Sequence, residues 1–338
     1  MNLFPDTYML REAKAARTRV LRPVVTVLIV ILVFAIAAAA ESLILTPCTM
    51  VWMFSDDAVI GAINEAGSSL ASGDLAAYIN DLSDVINNVM TNQPAWLLLV
   101  QLFMTAAVIV AVLVYALKIE KRSAASLGLH KRGLLPEYAV GLLAGAVLFS
   151  GAVGVCVLSG SLTLTAETNI NVPLLLLFFV GFLIQGFSEE LLCRGLLMVS
   201  LTRGNHKWVC VTISSLFFAV LHLGNPGITL LAFLNLTLFG VFASLYTLRR
   251  GSLWGIAALH SIWNFVQGNL FGISVSGSSA MPSIFRSVLA DGKGNALFNG
   301  GAFGLEGGIG VLLFMPTKRS EIAPDEAPAS GTEQTTGL

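Results

Sequence analysis

Long apolar runs dominate this 338-residue chain and restrict it to folds that lie largely inside a bilayer. A helix needs roughly 20 apolar residues to cross the hydrocarbon core, and eight stretches approach or exceed that length. They cover residues 23–46, 95–117, 136–158, 172–200, 208–223, 228–247, 252–268 and 300–316. Only 12% of all residues are charged, about half the share of an ordinary soluble domain. We therefore expect an all-α bundle of about eight transmembrane helices.

Basic residues lie at alternate ends of these runs and predict the orientation of the chain. Lys and Arg cluster before the first run and after the second, fourth, sixth and eighth, whereas the intervening loops carry only Arg286 and Lys293. Such clusters are enriched on the cytoplasmic side of membrane proteins. Both termini are therefore expected in the cytoplasm, in a multi-pass protein of the cell membrane. The first run is too long for a signal peptide and is expected to remain as an anchor.

Three regions follow one another along the chain. Residues 1–117 hold a basic segment and two apolar runs, joined by an outer loop at 48–94 with six acidic residues and no basic one. Helical periodicity at 75–90 predicts an amphipathic surface element there, although a solvated loop is the simpler alternative. Residues 118–317 are expected to form the membrane core, and residues 318–338 a disordered polar tail.

The fourth run contains charges in the middle of a spanning segment. Glu189, Glu190 and Arg194 would each cost about 2.5 to 3.5 kcal/mol at the centre of such a helix, so they indicate a function. Glu190 and Arg194 are four residues apart and can pair on one helix face. Glu189 points about 100° away and has no evident partner on its own helix, which suits a general base. The alternative is a charge cluster that only holds helices together.

Two histidines lie in later apolar runs, each with a companion at helical spacing. His222 follows Phe218 by four residues, and Asn264 follows His260 by four. A single such histidine is more often a packing residue, but two of them downstream of paired glutamates indicate a shared polar cavity. His260 and Asn264 share a helix face and could offer hydrogen-bond donors to an oxyanion.

Taken in order, these motifs resemble the CPBP family of intramembrane proteases, whose eukaryotic members are the type II CAAX prenyl endopeptidases. The motifs are Glu189-Glu190-x-x-x-Arg194, Phe218-x-x-x-His222 and His260-x-x-x-Asn264. Residues 245–254 and the segment Gly304-Leu305-Glu306-Gly307-Gly308 are also similar to bacterial, Abi-type members. The resemblance extends from about residue 118 to 314, so residues 118–317 would be the catalytic membrane core.

The resemblance implies an endopeptidase that hydrolyses a peptide or membrane-protein substrate within the lipid bilayer. Glu189 would activate a water with help from His222, and His260 with Asn264 would stabilise the oxyanion. Glu190 and Arg194 would support Glu189 through their ion pair. No cofactor and no nucleic-acid partner are expected, and neither the oligomeric state nor a need for prenylation follows from the sequence.

Three alternatives remain open at this stage. Glu189, His222 and His260 could instead hold zinc, although the chain has no H-E-x-x-H helix. A non-catalytic chaperone, immunity or scaffold protein could retain the same fold. A transporter could use Glu189 and His222 as a proton relay, although paired discontinuous helices in repeated halves are not evident.

Overall fold

Helices make up most of the part of the chain that the structure describes. The computed structural model describes residues 6–16, 19–91, 93–279, 281–290 and 293–309. The helices are α1 (Tyr8–Ala15), α2 (Pro23–Met53), α3 (Asp57–Ser72), α4 (Leu75–Thr91), α5 (Ala95–Ile119), α6 (Leu134–Leu158), α7 (Val172–Thr202), α8 (Lys207–Leu221), α9 (Leu230–Arg250), α10 (Trp254–Phe265) and α11 (Lys293–Asn299). The predicted all-α class is confirmed for this part of the chain.

Five of these helices are long and apolar enough to cross a membrane, namely α2, α5, α6, α7 and α9. Each coincides with one of the predicted apolar runs. Helices α8 and α10 occupy two further runs but have only 15 and 12 residues, and a π-helical stretch, Val266–Leu270, continues α10.

The eighth run does not form the helix that we predicted over its described part. Two short 3-10 turns, Gly301–Phe303 and Leu305–Gly307, replace it. Gly300, Gly301 and Gly304 all have positive φ, up to 99° at Gly304, which no right-handed helix accommodates. Residues 310–316, the second half of the run, lie outside the described residues.

The acidic segment 48–94, predicted as an outer loop, is mostly helical. Its first residues continue α2 to Met53, and α3 with α4 then forms a helical hairpin. Asp56 caps α3 by accepting from the backbone N–H groups of Ala58 and Val59, and Gly73, at φ 80°, ends it. The helical periodicity predicted for 75–90 is confirmed by α4.

A small sheet, which the sequence did not predict, joins two loops of the bundle. Strand β1 (Leu162–Ala166) pairs antiparallel with β2 (Phe285–Leu289), with Leu162 opposite Leu289 and Ala166 opposite Phe285. Because β2 follows the loop that starts at Gly272, this pairing fixes one end of the loop.

Small residues let the central helices approach closely. A Cβ atom at Gly186 of α7 would lie 2.5 Å from Ser261 Oγ and 2.9 Å from Ser261 N on α10. At Gly145 of α6 a Cβ atom would lie 2.5 Å from the carbonyl oxygen of Leu259, also on α10. Helix α10 is therefore held between α6 and α7, with its main chain close to both. The crossing at Gly186 places the glutamates of α7 beside His260.

Candidate active site

The ion pair predicted within α7 is present and buried. Arg194 Nη1 donates to Glu190 Oε1 at 3.1 Å, and both side chains are fully buried. The Arg194 guanidinium also lies 4.6 Å from the centre of the Phe218 ring. From Leu191 to Met198 the helix is π-helical and every residue is buried. Such π segments occur frequently at functional sites.

Glu189 does have a partner on its own helix, contrary to our prediction. Gln185 Nε2 donates to Glu189 Oε1 at 2.5 Å, from one turn earlier in α7. Asn264 Nδ2 donates in turn to Gln185 Oε1 at 3.0 Å. An oxygen of an ionised carboxylate can only accept a hydrogen bond. With Glu189 ionised, the Gln185 amide must therefore donate to it through Nε2, and its Oε1 must accept from Asn264. Glu189 Oε2 is buried and has no hydrogen-bond partner among the described residues.

His222 ends α8, and the spacing of its motif determines which ring nitrogen faces Glu189. Its Nδ1 lies 2.8 Å from the carbonyl oxygen of Phe218, which can only accept, so Nδ1 carries a hydrogen. The Phe218 ring also packs against the imidazole, with ring centres 4.7 Å apart. The other nitrogen, Nε2, lies 4.0 Å from Glu189 Oε2.

His260 is oriented in the same way by a different acceptor. Its Nδ1 lies 3.0 Å from Glu190 Oε1, the oxygen that also accepts from Arg194. Because Glu190 Oε1 already accepts from Arg194, we assign the hydrogen of this contact to His260 Nδ1. His260 Nε2 lies 3.7 Å from Glu189 Oε2. Glu190 and Arg194 therefore hold His260, whereas Gln185 holds Glu189.

Glu189 Oε2, which has no hydrogen-bond partner among the described residues, and the Nε2 atoms of the two histidines thus converge at one point. Glu189 Oε2 faces the Nε2 atoms of both histidines at 3.7 and 4.0 Å, too far for direct hydrogen bonds. When the imidazoles are neutral all three atoms are acceptors, because each Nδ1 carries the ring hydrogen. The arrangement can bind a species that donates hydrogen bonds or carries positive charge, such as a water molecule, a proton or a metal ion.

A cavity connects this point to other parts of the bundle. It is lined by aromatic and aliphatic side chains of α5, α7, α8, α9 and α10, and by the loop residues Val275, Ser276 and Met281. All four predicted catalytic residues, Glu189, His222, His260 and Asn264, line it. Asn264 is 3% exposed, and its Nδ2 keeps a second hydrogen beyond the one donated to Gln185.

Several cavity residues, Gln185 and Glu306 among them, were not predicted as site residues. Gln185 precedes Glu189 by four residues, a spacing that could have suggested the contact. Glu306 was noted only within a glycine-rich motif; in the structure Ser276 donates to its Oε2 from N and from Oγ, at 3.3 and 3.2 Å. Only the tertiary structure brings Glu306 to the cavity.

The predicted zinc ligands can be compared with this geometry. Glu189, His222 and His260 present one oxygen and two ring nitrogens towards one another. Over the described ranges, no group of three or more His, Cys, Asp or Glu side chains is close enough to form a metal site as it stands. A zinc site would therefore require these side chains to adjust, and zinc stays an alternative to the predicted metal-free site.

Comparison with known families agrees with the motifs. Residues 171–266 match the family described as Type II CAAX prenyl endopeptidase Rce1-like. No curated protein and no solved structure matches the chain significantly. The matched segment contains every predicted catalytic and supporting residue, from Glu189 to Asn264, but not Glu306 or the α3–α4 hairpin. The segment that builds this site is thus similar to the Type II CAAX prenyl endopeptidase Rce1-like family.

Proposed function

We propose that the protein is an intramembrane endopeptidase that hydrolyses a peptide bond with a water molecule activated by Glu189 and His222. The observation that carries this proposal is the buried Glu189 Oε2, which faces two imidazole Nε2 atoms and lacks a partner among the described residues. A water molecule at this point would donate its hydrogens to Glu189 and His222 and direct a lone pair into the cavity.

In the first step the water oxygen bonds to the substrate carbonyl carbon, and its proton passes to Glu189 or His222. The carbonyl oxygen becomes an oxyanion, which the second hydrogen of Asn264 Nδ2 can stabilise. His260 can assist only when protonated, because its neutral form has its single hydrogen on Nδ1, facing Glu190. The proton then moves to the leaving nitrogen and the carbon–nitrogen bond breaks. No covalent intermediate with the protein is needed.

The substrate would be a peptide or a segment of a membrane protein that reaches the cavity from the lipid bilayer. Its identity can be found by comparing the membrane and secreted peptides of cells that carry the wild-type protein or Glu189→Gln. We expect specific peptide ends to disappear in the variant while the amount of protein in the membrane is unchanged. Identical peptide profiles, together with no cleavage of peptides by the purified protein, would contradict the proposal and favour a non-catalytic role.

Zinc-dependent hydrolysis is the second candidate, because Glu189, His222 and His260 direct suitable ligand atoms towards one point. Purified, active protein should be treated with a strong chelator and analysed for bound metal. The metal-free mechanism predicts full activity after chelation. Loss of activity that zinc restores would make these three residues ligands.

For the whole chain we propose eight membrane crossings with both termini in the cytoplasm, as the alternation of Lys and Arg indicates. The five long apolar helices and the shorter α8 and α10 would supply seven of the crossings. For the eighth crossing the sequence offers the run 300–316, of which residues 301–303 and 305–307 form short 3-10 turns.

A further inference from the structure

We propose that Glu306 and Asn235 form a specificity subsite of the same cavity, which takes a cationic side chain, Lys or Arg, of the substrate beside the scissile bond. This inference rests on the proposed peptidase function and adds a substrate class to it. Of its two residues, Asn235 lies inside the segment that matches the family, whereas Glu306 follows the end of that match by forty residues.

Glu306 is held in place by the loop that covers the cavity. Its Oε2 accepts from Ser276 N at 3.3 Å and from Ser276 Oγ at 3.2 Å. Both contacts use the same oxygen, so Oε1 accepts no hydrogen bond from the residues that the structure describes. The loop thus orients the carboxylate while leaving half of it free to bind a ligand.

Asn235 adds a second free acceptor at the same place. Its Nδ2 donates to the backbone oxygens of Glu306 and Gly308, at 2.7 and 2.9 Å, which fixes the orientation of the amide. Asn235 is 2% exposed and lines the cavity. Its Oδ1 is buried and has no hydrogen-bond partner among the described residues. A buried acceptor of this kind is costly unless a ligand or water satisfies it.

The charges of the cavity favour a cation as that ligand. Glu189 and Glu306 both line it, whereas none of the described residues that line it is Lys or Arg. Arg194, a buried cation beside Phe218 of the cavity wall, is paired with Glu190. A cationic substrate group would supply the missing positive charge and the donors that Oε1 of Glu306 and Oδ1 of Asn235 lack.

Aromatic rings complete a site of this type. Phe239 lies one turn after Asn235 on α9 and lines the same cavity, as do Phe218 and Trp263. The stem of a Lys or Arg side chain can lie against such rings, and its charged end can approach a ring face. Apolar walls with acceptors at one end are the surroundings that these long side chains need.

The test uses the purified full-length protein in lipid nanodiscs and pairs of model peptides. Within each pair the peptides differ at one position near the cleaved bond, where one has Lys and the other has norleucine, which lacks the amine. We expect kcat/KM to favour Lys by about 10-fold to 100-fold at one position, the range of a charge-assisted hydrogen bond. Equal rates for Lys and norleucine at every position would overturn the inference.

The variant Glu306→Gln isolates the charge, because the amide oxygen can still accept from Ser276. The preference for Lys should fall towards one, while the matched variant Glu65→Gln, which removes an exposed carboxylate on α3, should retain it. If Glu306→Gln does not fold, Ser276→Ala serves instead: it removes a bond that orients the carboxylate and should change the preference at least severalfold. A preference unaffected by the folded variant would overturn the inference.

Binding separates a failure of the subsite from a failure of the proposed function. The anisotropy of fluorescently labelled Lys and norleucine peptides should be measured with Glu189→Gln protein, with and without Glu306→Gln. Tighter binding of the Lys peptide that depends on Glu306, in a protein that cleaves nothing, would contradict the peptidase function but support the subsite. Cleavage without any preference for Lys would support the peptidase function and contradict the subsite.

Discussion

At the scale of single residues, hydrogen bonds to Nδ1 determine what the two histidines can do. The carbonyl of Phe218 and the carboxylate of Glu190 each take the Nδ1 hydrogen, at 2.8 and 3.0 Å. Both Nε2 atoms therefore face Glu189 as acceptors when the rings are neutral. The spacing of four residues in the second motif thus places the backbone carbonyl of Phe218 against Nδ1 of His222.

Glu189 and His222 should act as one unit, because both would bind the same water. We expect Glu189→Ala, His222→Ala and the double variant to reduce kcat/KM to a similar floor. Peptide cleavage measured for all three, at equal amounts of folded protein, checks this. Multiplication of the two losses in the double variant would mean that the residues act independently.

Asn264 should matter more to turnover than to folding. Asn264→Ala removes a donor to the developing oxyanion and should lower kcat by about 10² to 10³. Gln185 then loses one hydrogen bond, so a small change in thermal stability is expected. An unchanged kcat would remove Asn264 from the oxyanion site.

Arg194 should matter both to turnover and to the stability of the folded protein. Arg194→Ala leaves Glu190 buried without its cation, a change of the kind that costs about 3 to 5 kcal/mol. We expect a lower unfolding temperature and reduced activity, because Glu190 also orients His260. Normal stability in Arg194→Ala would show that Glu190 finds another partner or a proton.

At the scale of helices, the crossing of α7 and α10 sets the distance between the glutamates and His260. Gly186→Ala would place a methyl group 2.5 Å from Ser261 Oγ and 2.9 Å from the backbone nitrogen of Ser261. We expect lower stability together with lower activity. Gly154→Ala on α6 is the matched control, since no atom lies within 4 Å of its added methyl group, and it should leave both properties nearly unchanged. Equal effects of the two substitutions would contradict the close crossing.

Local sequence patterns predicted the helices and the motif residues, but they did not predict the contacts between distant segments. Apolar runs identified all five long helices, because length and hydropathy are local properties. The helix predicted for the eighth run was wrong over its described part, because an apolar composition does not show which glycines adopt positive φ. The pairing of β1 with β2 joins segments more than a hundred residues apart and has no local signal. Glu306 reaches the cavity for the same reason, by tertiary folding alone.

At the scale of the whole molecule, the orientation in the membrane remains to be tested. Single cysteines can be placed at positions 68–74, in α3 and the turn that follows, and at positions 327–330, in a variant with Cys48→Ser; the other three cysteines are buried. We expect a membrane-impermeant thiol reagent to label the two regions from opposite sides. Labelling of both from the same side would contradict an even number of crossings.

The wall of the cavity is built from two parts of the chain, one inside and one outside the segment that matches the family. Leu98, Gln101 and Thr105 of α5 line it, directly after the α3–α4 hairpin and well before the segment shared with the family. Substitutions in α5 can therefore change which peptides fit without touching a residue proposed to carry out chemistry. A library of α5 variants would therefore explore selectivity while the residues proposed to carry out chemistry stay constant.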